Sequence, residues 1–338
     1  MSATSRLDTL QQRHSWVGFP LAVAYKFFDD QGGYLAALIT YYGFLSLFPL
    51  LLLVVTVLGF VLHNDPSLQN QIINSAVGDF PIVGEQLKSD ITGFHGSDVA
   101  LVLGLVGLLY GSLGVAQAAQ HAMNTVWAVP RHRRPNPLRS RLRSLRLLLL
   151  LGLGVLITTA LSALSTSAAA YAHDLAGVSI GLRILAIVVG AAANIGLFIL
   201  AFRLLTSRPV SVRDVWVGAV VAGLVWQVLQ LVGTYIVAHH VKGASEVYGT
   251  FGLVLGLMLW IYVEAIVVVI SAELNVVLRH RLWPRSLLTP FTDDVDLTHA
   301  DERVYGGMAT AQRIKGFEQV DVSFDRPDDP PGEDDEGP

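Results

Sequence analysis

The sequence contains no cysteine and little charge. The absence of cysteine among its 338 residues excludes disulfide bonds, cysteine-ligated zinc and thiol catalysis. Only 15% of the residues are charged, whereas an average soluble domain has about 25%. With 52% hydrophobic residues and a mean hydropathy of +0.52, the composition is typical of a membrane protein.

The sequence also lacks the motifs of two large functional classes. It has no G-x-x-x-x-G-K-[ST] phosphate-binding loop, so any transport would be passive, coupled to an ion or driven by a partner. Its ten histidines show no metal-ligand spacing, and no basic loop combines an acid, a base and a cation site. We therefore expect no catalytic site, no metal and no cofactor.

Six apolar runs are present, and each is long enough to cross a bilayer, which takes about 20 mainly apolar residues. They cover residues 35–62, 99–127, 147–170, 184–205, 215–238 and 249–278. The predicted fold class is all-α, with a bundle of six transmembrane helices at 35–285. Residues 1–34 form a separate N-terminal segment, and residues 286–338 form a C-terminal tail.

Basic residues are concentrated on alternate connections. Twenty of the 23 Lys and Arg residues precede the first run, follow the second, fourth or sixth run, or lie in the tail. Because basic loops stay in the cytoplasm, we expect both termini to be cytoplasmic. The tail itself holds 4 basic and 14 acidic residues and little apolar content, so it is predicted to be disordered.

The N-terminal segment contains an amphipathic pattern over residues 16–30. Its apolar residues fall on one helical side, and Lys26, Asp29 and Asp30 fall on the other. The pattern predicts a helix lying in the cytoplasmic membrane interface. A short helix packed on the bundle fits the same periodicity equally well.

The last apolar run carries a carboxylate, Glu264, near its centre. An ionised acid at mid-bilayer costs at least ~3 kcal/mol, so Glu264 is either a proton or substrate site or a protonated acid bonded to a neighbouring helix. Ser271 and Asn275 lie within about 20° of its helical face, whereas Glu273 points to the opposite side. The candidate intramembrane site comprises Glu264, Gln227, Gln230, Ser271, Asn275, Tyr41 and Tyr42.

The second run carries a stripe of small residues and then a polar end. Gly104, Gly107, Gly111 and Gly114 share one helical stripe, which favours close approach of a neighbouring helix. The candidate polar cluster at the cytoplasmic end comprises Gln117, Gln120, His121, Asn124 and Glu273. We expect a hydrogen-bonded structural role for His121, and for Glu273 a role in capping loop amides or pairing with an arginine.

An arginine cluster follows the second run. It comprises Arg131, Arg133, Arg134, Arg139, Arg141 and Arg143. Such a cluster beside a membrane helix is a topology signal and a contact for anionic lipid. Binding of RNA phosphates is the less favoured interpretation.

Three segments resemble the YihY/virulence factor BrkB family, once labelled ribonuclease BN. They are AALITYYGFLSLFPLLLL at 36–53, GVAQAAQHAMNTVW at 114–127, and YGTFGLVLGLMLWIYV at 248–263 with SAELN at 271–275. The resemblance covers roughly residues 16–283. It implies a six-span protein of the bacterial inner membrane, and export of an envelope component has been suggested for some members.

Three functions compete. The polar helix faces and Glu264 favour a transporter or exporter of a lipid-like or amphipathic envelope molecule. A non-catalytic membrane scaffold or regulator is the alternative, and a membrane ribonuclease is disfavoured by the missing catalytic residues. The expected partners are membrane lipids and a lipid-like substrate, with no specific nucleic acid. Association of identical copies is an open alternative.

The topology can be tested directly because the natural chain has no cysteine. Single cysteines introduced at Ser75 and Ser245 are expected to react with an impermeant reagent from outside the cell. A cysteine at Ser140 is expected to react only after the membrane is opened. Labelling of Ser140 in intact cells would overturn the predicted orientation.

Overall fold

The computed structural model describes residues 8, 11–61, 98–150, 152–154, 176–240, 249–292 and 295–324. Every regular element in these ranges is helical, which confirms the predicted all-α class for this part of the chain. The helices are α1 (Ser15–Asp29), α2 (Gly32–Val61), α3 (Asp98–Val126), α4 (137–150), α5 (Ala176–Leu205), α6 (Val212–His240), α7 (Gly249–His280) and α8 (His299–Ala311).

Four of the described helices are long and apolar enough to cross a bilayer. Their qualifying segments are Leu101–Val126, Val188–Leu205, Val212–Leu229 and Val254–His280, which match the second, fourth, fifth and sixth predicted spans. Helix α2 covers the first predicted span, although only Gly32–Leu47 qualifies as a shorter apolar segment. Most of the third predicted span lies outside the described residues. Six crossings and the membrane side of the termini stay predictions.

The helices α2 and α3 form the most closely packed pair, and glycine makes this possible. A side chain at Gly107 would meet the ring of Pro49 at 2.9 Å, and one at Gly111 would meet Ser46 at 2.8 Å. One turn further along α3, a side chain at Gly114 would overlap the ring of Tyr42. The predicted close approach along the glycine stripe is confirmed at these three positions.

Helix α7 packs against α1, α2, α3 and α6, and it comes close to α6 at one glycine. At this crossing Gly218 lies against the backbone carbonyl of Ser271, so that any side chain at 218 would overlap that oxygen. The Gly218 amide also donates a hydrogen bond of 2.7 Å to the Asn275 side-chain oxygen. The backbone of Ser271 and the side chain of Asn275, two residues predicted to share the Glu264 face, thus contact α6 at this crossing.

Four segments meet at one end of the bundle, which we call the basic end. They are residues 127–146, 206–213, 279–285 and 295–324. The Ser207 amide donates to the Asn124 side-chain oxygen at 2.8 Å, and Arg279 pairs with Asp214 at 2.8 Å. The loops that the basic residues assign to one membrane side are therefore gathered at one end of the molecule.

Away from the basic end, α3 and α7 present apolar side chains outward. Val106 of α3 is 60% exposed, and Phe251 and Leu259 of α7 are 69% and 62% exposed. Exposed apolar surface on neighbouring long helices is expected where lipid rather than water is the solvent.

Helix α1 packs on the bundle, and its orientation differs from the prediction. Lys26, assigned from the periodicity to the solvent side, is buried, whereas Trp16 and Phe28 are 77% and 71% exposed. The periodicity misassigned Lys26 because the partners that bury it, described below, lie on other parts of the chain.

The predicted disorder of the whole tail is wrong for residues 286–292 and 295–324. Thr298 and Asp301 form a capping box that starts α8, and Ala300, Asp301 and Val304 are buried. The composition of the tail did not indicate this helix, because the helix docks through specific contacts with the bundle and not through a large apolar surface. Residues 325–338 lie outside the described part.

The α6–α7 crossing predicts a strong effect of adding one methyl group. Gly218→Ala is expected to destabilise the protein by about 1–3 kcal/mol, as overpacking of a filled interface does. Gly190→Ala on α5 is the matched control, because a side chain there meets nothing within 4 Å. Thermal unfolding of the purified variants in detergent measures the difference. A Gly218→Ala protein that melts no lower than the control would contradict this account of the crossing.

Candidate functional site at the basic end

Glu264 is half-buried in the candidate span Val254–His280. The indole of Trp260, one turn earlier on α7, lies within hydrogen-bonding reach of its carboxylate. Among the described residues no ion pair involves Glu264. A membrane-depth carboxylate without a charged partner is the costliest feature of this helix.

The other members predicted for the Glu264 site are dispersed. Ser271 and Asn275 are buried at the α6 crossing, and Tyr42 packs against Gly114 of α3. Gln227 and Tyr41 lie exposed. Gln230 is in α6, but its side chain is outside the described part. The geometry therefore does not gather these residues around Glu264.

A second carboxylate of α7, Glu273, is buried in an ion cluster. Lys26 of α1 pairs with Asp30, and its ammonium also lies 3.4 Å from Glu273. Exposure is 3% for Lys26, 6% for Asp30 and 0% for Glu273. Sequence reasoning expected a structural role for Glu273 with an arginine or loop amides; the partner is a lysine from the N-terminal helix.

This cluster holds two carboxyl groups against one ammonium. Burial lowers the pKa of Lys26, but Glu273 and Asp30 together outweigh burial and leave that pKa raised. Burial raises the pKa of Asp30 more than Lys26 lowers it. Neither Glu273 oxygen completes a hydrogen bond among the described residues. An excess negative charge at a dry site favours retention of one proton by the two carboxyl groups.

The remaining residues of the predicted polar cluster dock separate elements. The Gln120 amide donates to the Ser144 hydroxyl of α4 at 2.7 Å, and Asn124 accepts from Ser207 in the α5–α6 turn. Gln117 is half-buried, and His121 lies exposed. Within the described part of the chain no hydrogen bond joins these residues to Glu273, but Lys26, which lies beside Glu273, donates to the Val126 carbonyl of the same helix α3 at 3.3 Å.

The arginine cluster divides into two groups. Arg143 donates to the carbonyls of Leu204 and Thr206 at 2.6 and 2.5 Å, and Arg134 donates to the Val129 carbonyl at 3.0 Å. These two guanidinium groups donate to backbone carbonyls at or just after the ends of α3 and α5. The others lie exposed at Arg131, Arg133, Arg139 and Arg141, so the predicted contact with anionic lipid stays a prediction for these four.

Sequence reasoning missed a second buried ion cluster. Arg285, which is fully buried, donates to Asp301 of α8 at 2.6 Å and to Asp29 of α1 at 2.5 Å. The rings of Tyr25 and Tyr305 flank its guanidinium at 5.8 and 5.4 Å. The capping-box spacing of Thr298 and Asp301 is the one sequence signal that could have indicated order here.

A cavity of about 590 Å³ lies beside the Lys26 cluster. Its walls come from the ends of α3 and α7, from the α5–α6 turn and from α8, and Lys26 contributes to its floor. Arg208 and Arg303 line it, and none of the described residues that line it is acidic. Cavities of this volume hold small molecules in many proteins.

A model of the virulence factor BrkB family matches residues 23–291 of this chain. A UPF0761 membrane protein of Azotobacter vinelandii is 28% identical over 78% of this chain and 64% of its own length. Another, of Psychrobacter sp., is 24% identical over 88% of this chain and 56% of its own. Inner membrane protein YhjD of Escherichia coli is 25% identical over 74% and 78%. The chain spans less than two thirds of the first two relatives. No solved structure matches it.

The Lys26 cluster predicts a large penalty for removing the cation. Lys26→Met leaves two buried carboxyl groups without their ammonium and is expected to cost about 3–5 kcal/mol of unfolding free energy. The double variant Lys26→Met/Glu273→Gln is expected to recover part of that loss. Lys315→Met, at an exposed site, is the control. Thermal unfolding in detergent provides the comparison, and a Lys26→Met protein as stable as the control would refute the ion cluster.

Proposed function

The chain belongs to the virulence factor BrkB family and is an integral membrane protein, and from that premise we propose that it transports or exports a lipid-like or amphipathic envelope molecule. It does so in the bacterial inner membrane, with the basic end facing the cytoplasm. The names of the relatives support the membrane location and do not identify a transported molecule.

Glu264 is the observation that carries the transport proposal. Its carboxylate is held at membrane depth with a tryptophan of its own helix within reach and with no ion pair among the described residues. Acids in membrane spans are costly and are retained mainly along substrate or proton pathways. A purely structural acid would be expected to pair with a cation or to dock a neighbouring helix, as Glu273 does with Lys26.

The location of polar groups along α7 supports the same proposal. Glu264 lies in the middle of the span, and the cavity lined by Val276 and His280 lies at its end. A cargo with a charged head and an apolar body needs a polar site at the membrane surface and a polar contact within the membrane. One continuous helix supplies both.

Reconstitution tests the transport proposal. Vesicles containing the protein and a trace of fluorescent NBD-phosphatidylglycerol are followed by dithionite quenching, with and without a pH gradient. We expect faster movement of the lipid between leaflets than in protein-free vesicles, and we expect Glu264→Gln to abolish either the movement or its dependence on the gradient. Glu302→Gln, outside the spans, should leave both unchanged.

Two outcomes would redirect the proposal. If wild-type protein moves no lipid under either condition, transport of this lipid class is refuted. If Glu264→Gln retains full movement and full pH dependence, Glu264 has a structural role. In a separate assay the purified protein is expected to leave RNA uncleaved, because no basic loop of the sequence combines an acid, a base and a cation site.

The alternative is a membrane scaffold or regulator without transport. The segment after α8 favours it: Phe317 is 91% exposed and Ile314 is 60% exposed. Apolar side chains held in water on an ordered segment are typical of contact surfaces for other proteins. Absence of lipid movement together with loss of a co-purifying protein in a Phe317→Ser variant would favour this second function.

A further inference from the structure

The cavity at the basic end combines positive charge with apolar walls. Arg208, Arg303, His280 and Lys26 line it, and the charge of Lys26 is already balanced by Asp30 and Glu273. Val276, Leu282 and Met308 are among its apolar lining residues. The two arginines therefore determine its charge.

Arg303 lines the cavity, and the described residues accept hydrogen bonds from only some of its N–H groups. Its three nitrogens each donate once, to the carbonyls of His299, His280 and Arg281 at 2.9, 3.1 and 2.9 Å. A guanidinium has five N–H groups, so two stay available. These bonds fix the orientation of the side chain without neutralising its charge, because all three acceptors are carbonyl oxygens.

Arg208 interacts electrostatically with Asp214 but forms no ion pair with it or with any other described residue. Its guanidinium lies over the ring of Trp127, 5.2 Å from the centroid, and makes no hydrogen bond or ion pair with the described part of the chain. Trp127 is itself buried and packs edge-on against His280 at 6.1 Å. A cation stacked on a rigid aromatic wall is pre-oriented for a ligand.

A second cavity on the other side of Arg208 provides the contrast. It also contains Arg143, Arg203 and Arg279, which are engaged by the Leu204 carbonyl, the Val210 carbonyl and Asp214. These three arginines serve the fold. In the first cavity neither arginine meets a carboxylate among the described residues, so fold stability does not account for both charges.

We propose that this cavity binds the phosphate ester of an amphipathic molecule. Arg208 and Arg303 pair with the phosphate, since guanidinium groups match phosphate oxygens in geometry and charge, and the apolar walls accept the adjoining hydrocarbon. Binding here is a property of the resting protein and holds whether or not the protein moves its ligand across the membrane. The phosphate can belong to a lipid headgroup or to a soluble ester.

Gly306 of α8 offers a position from which the cavity can be filled. It lines the cavity, and a Cβ atom at this position meets nothing within 4 Å. Replacing a helical glycine also favours the helix. Gly306→Leu therefore blocks the site by occupancy, independently of charge, and Gly196→Leu on α5, where a side chain also meets nothing, is its control.

Calorimetry on the purified full-length protein tests the proposal with three probes. They are dihexanoyl phosphatidic acid, dihexanoyl phosphatidylcholine and inorganic phosphate. We expect phosphatidic acid to bind at least about tenfold more tightly than phosphatidylcholine. Arg208→Gln should weaken its binding about tenfold or more, the effect of losing a charge-assisted hydrogen bond. Gly306→Leu should weaken it at least as much, because the leucine occupies the cavity. Arg213→Gln, exposed and outside the cavity, should bind as wild type.

Each other outcome has a defined meaning. Inorganic phosphate binding as tightly as phosphatidic acid, with the same dependence on Arg208, supports the phosphate contact but overturns the role of the apolar walls. Equal binding of phosphatidic acid and phosphatidylcholine overturns the proposal, as does wild-type affinity in both Arg208→Gln and Gly306→Leu. Arg303→Gln is a supplementary variant, because its bonds to α7 also contribute to folding.

Discussion

The buried ion cluster of Lys26, Asp30 and Glu273 is the constraint on which the arrangement at the basic end depends. Asp30 follows the last residue of α1, and α2 begins two residues later at Gly32, with Gln31 between them in the left-handed region at φ 55°. Fixing Lys26 to Glu273 therefore fixes the turn, the start of α2 and the position of α7 together. Because a buried charge without its partner is so unfavourable, this contact selects one packing of the three helices.

A second buried cation fixes the position of the tail in the same way. Arg285 joins Asp29 of α1 to Asp301 of α8, so the helix after the bundle is held by charge and hydrogen bonding and needs little apolar area. The acidic residues that suggest disorder by composition include the one that anchors the helix. Docking of α8 then closes one wall of the cavity that Arg208 and Arg303 line.

The carboxylates of α7 divide into a structural and a functional candidate according to their partners. Glu273 has a lysine and is fully buried, and it positions α1. Glu264 lies within reach of only a tryptophan of its own helix in the described structure, and it is half-buried at membrane depth. Glu264 and Glu273 are thus the same residue type at two depths of one helix. Within the described fold only Glu273 has a charged partner that offsets the cost of burying a carboxylate.

The sequence alone determined the membrane character, four of the spans that the structure describes, and the side of α3 along which another helix approaches closely. These follow from local periodicity, because hydrocarbon as solvent forces long apolar helices and a stripe of glycine permits contact wherever two such helices meet. Tertiary structure decided which polar residues meet. Lys26 and Glu273 are far apart in the chain, as are Asp29 and Arg285, and periodicity around one helix axis carries no information about which neighbour that face will contact. For this reason the residues predicted for the Glu264 site do not lie together. Two ion clusters and a basic cavity are formed instead, largely by residues that sequence reasoning had assigned to solvent, loops and tail.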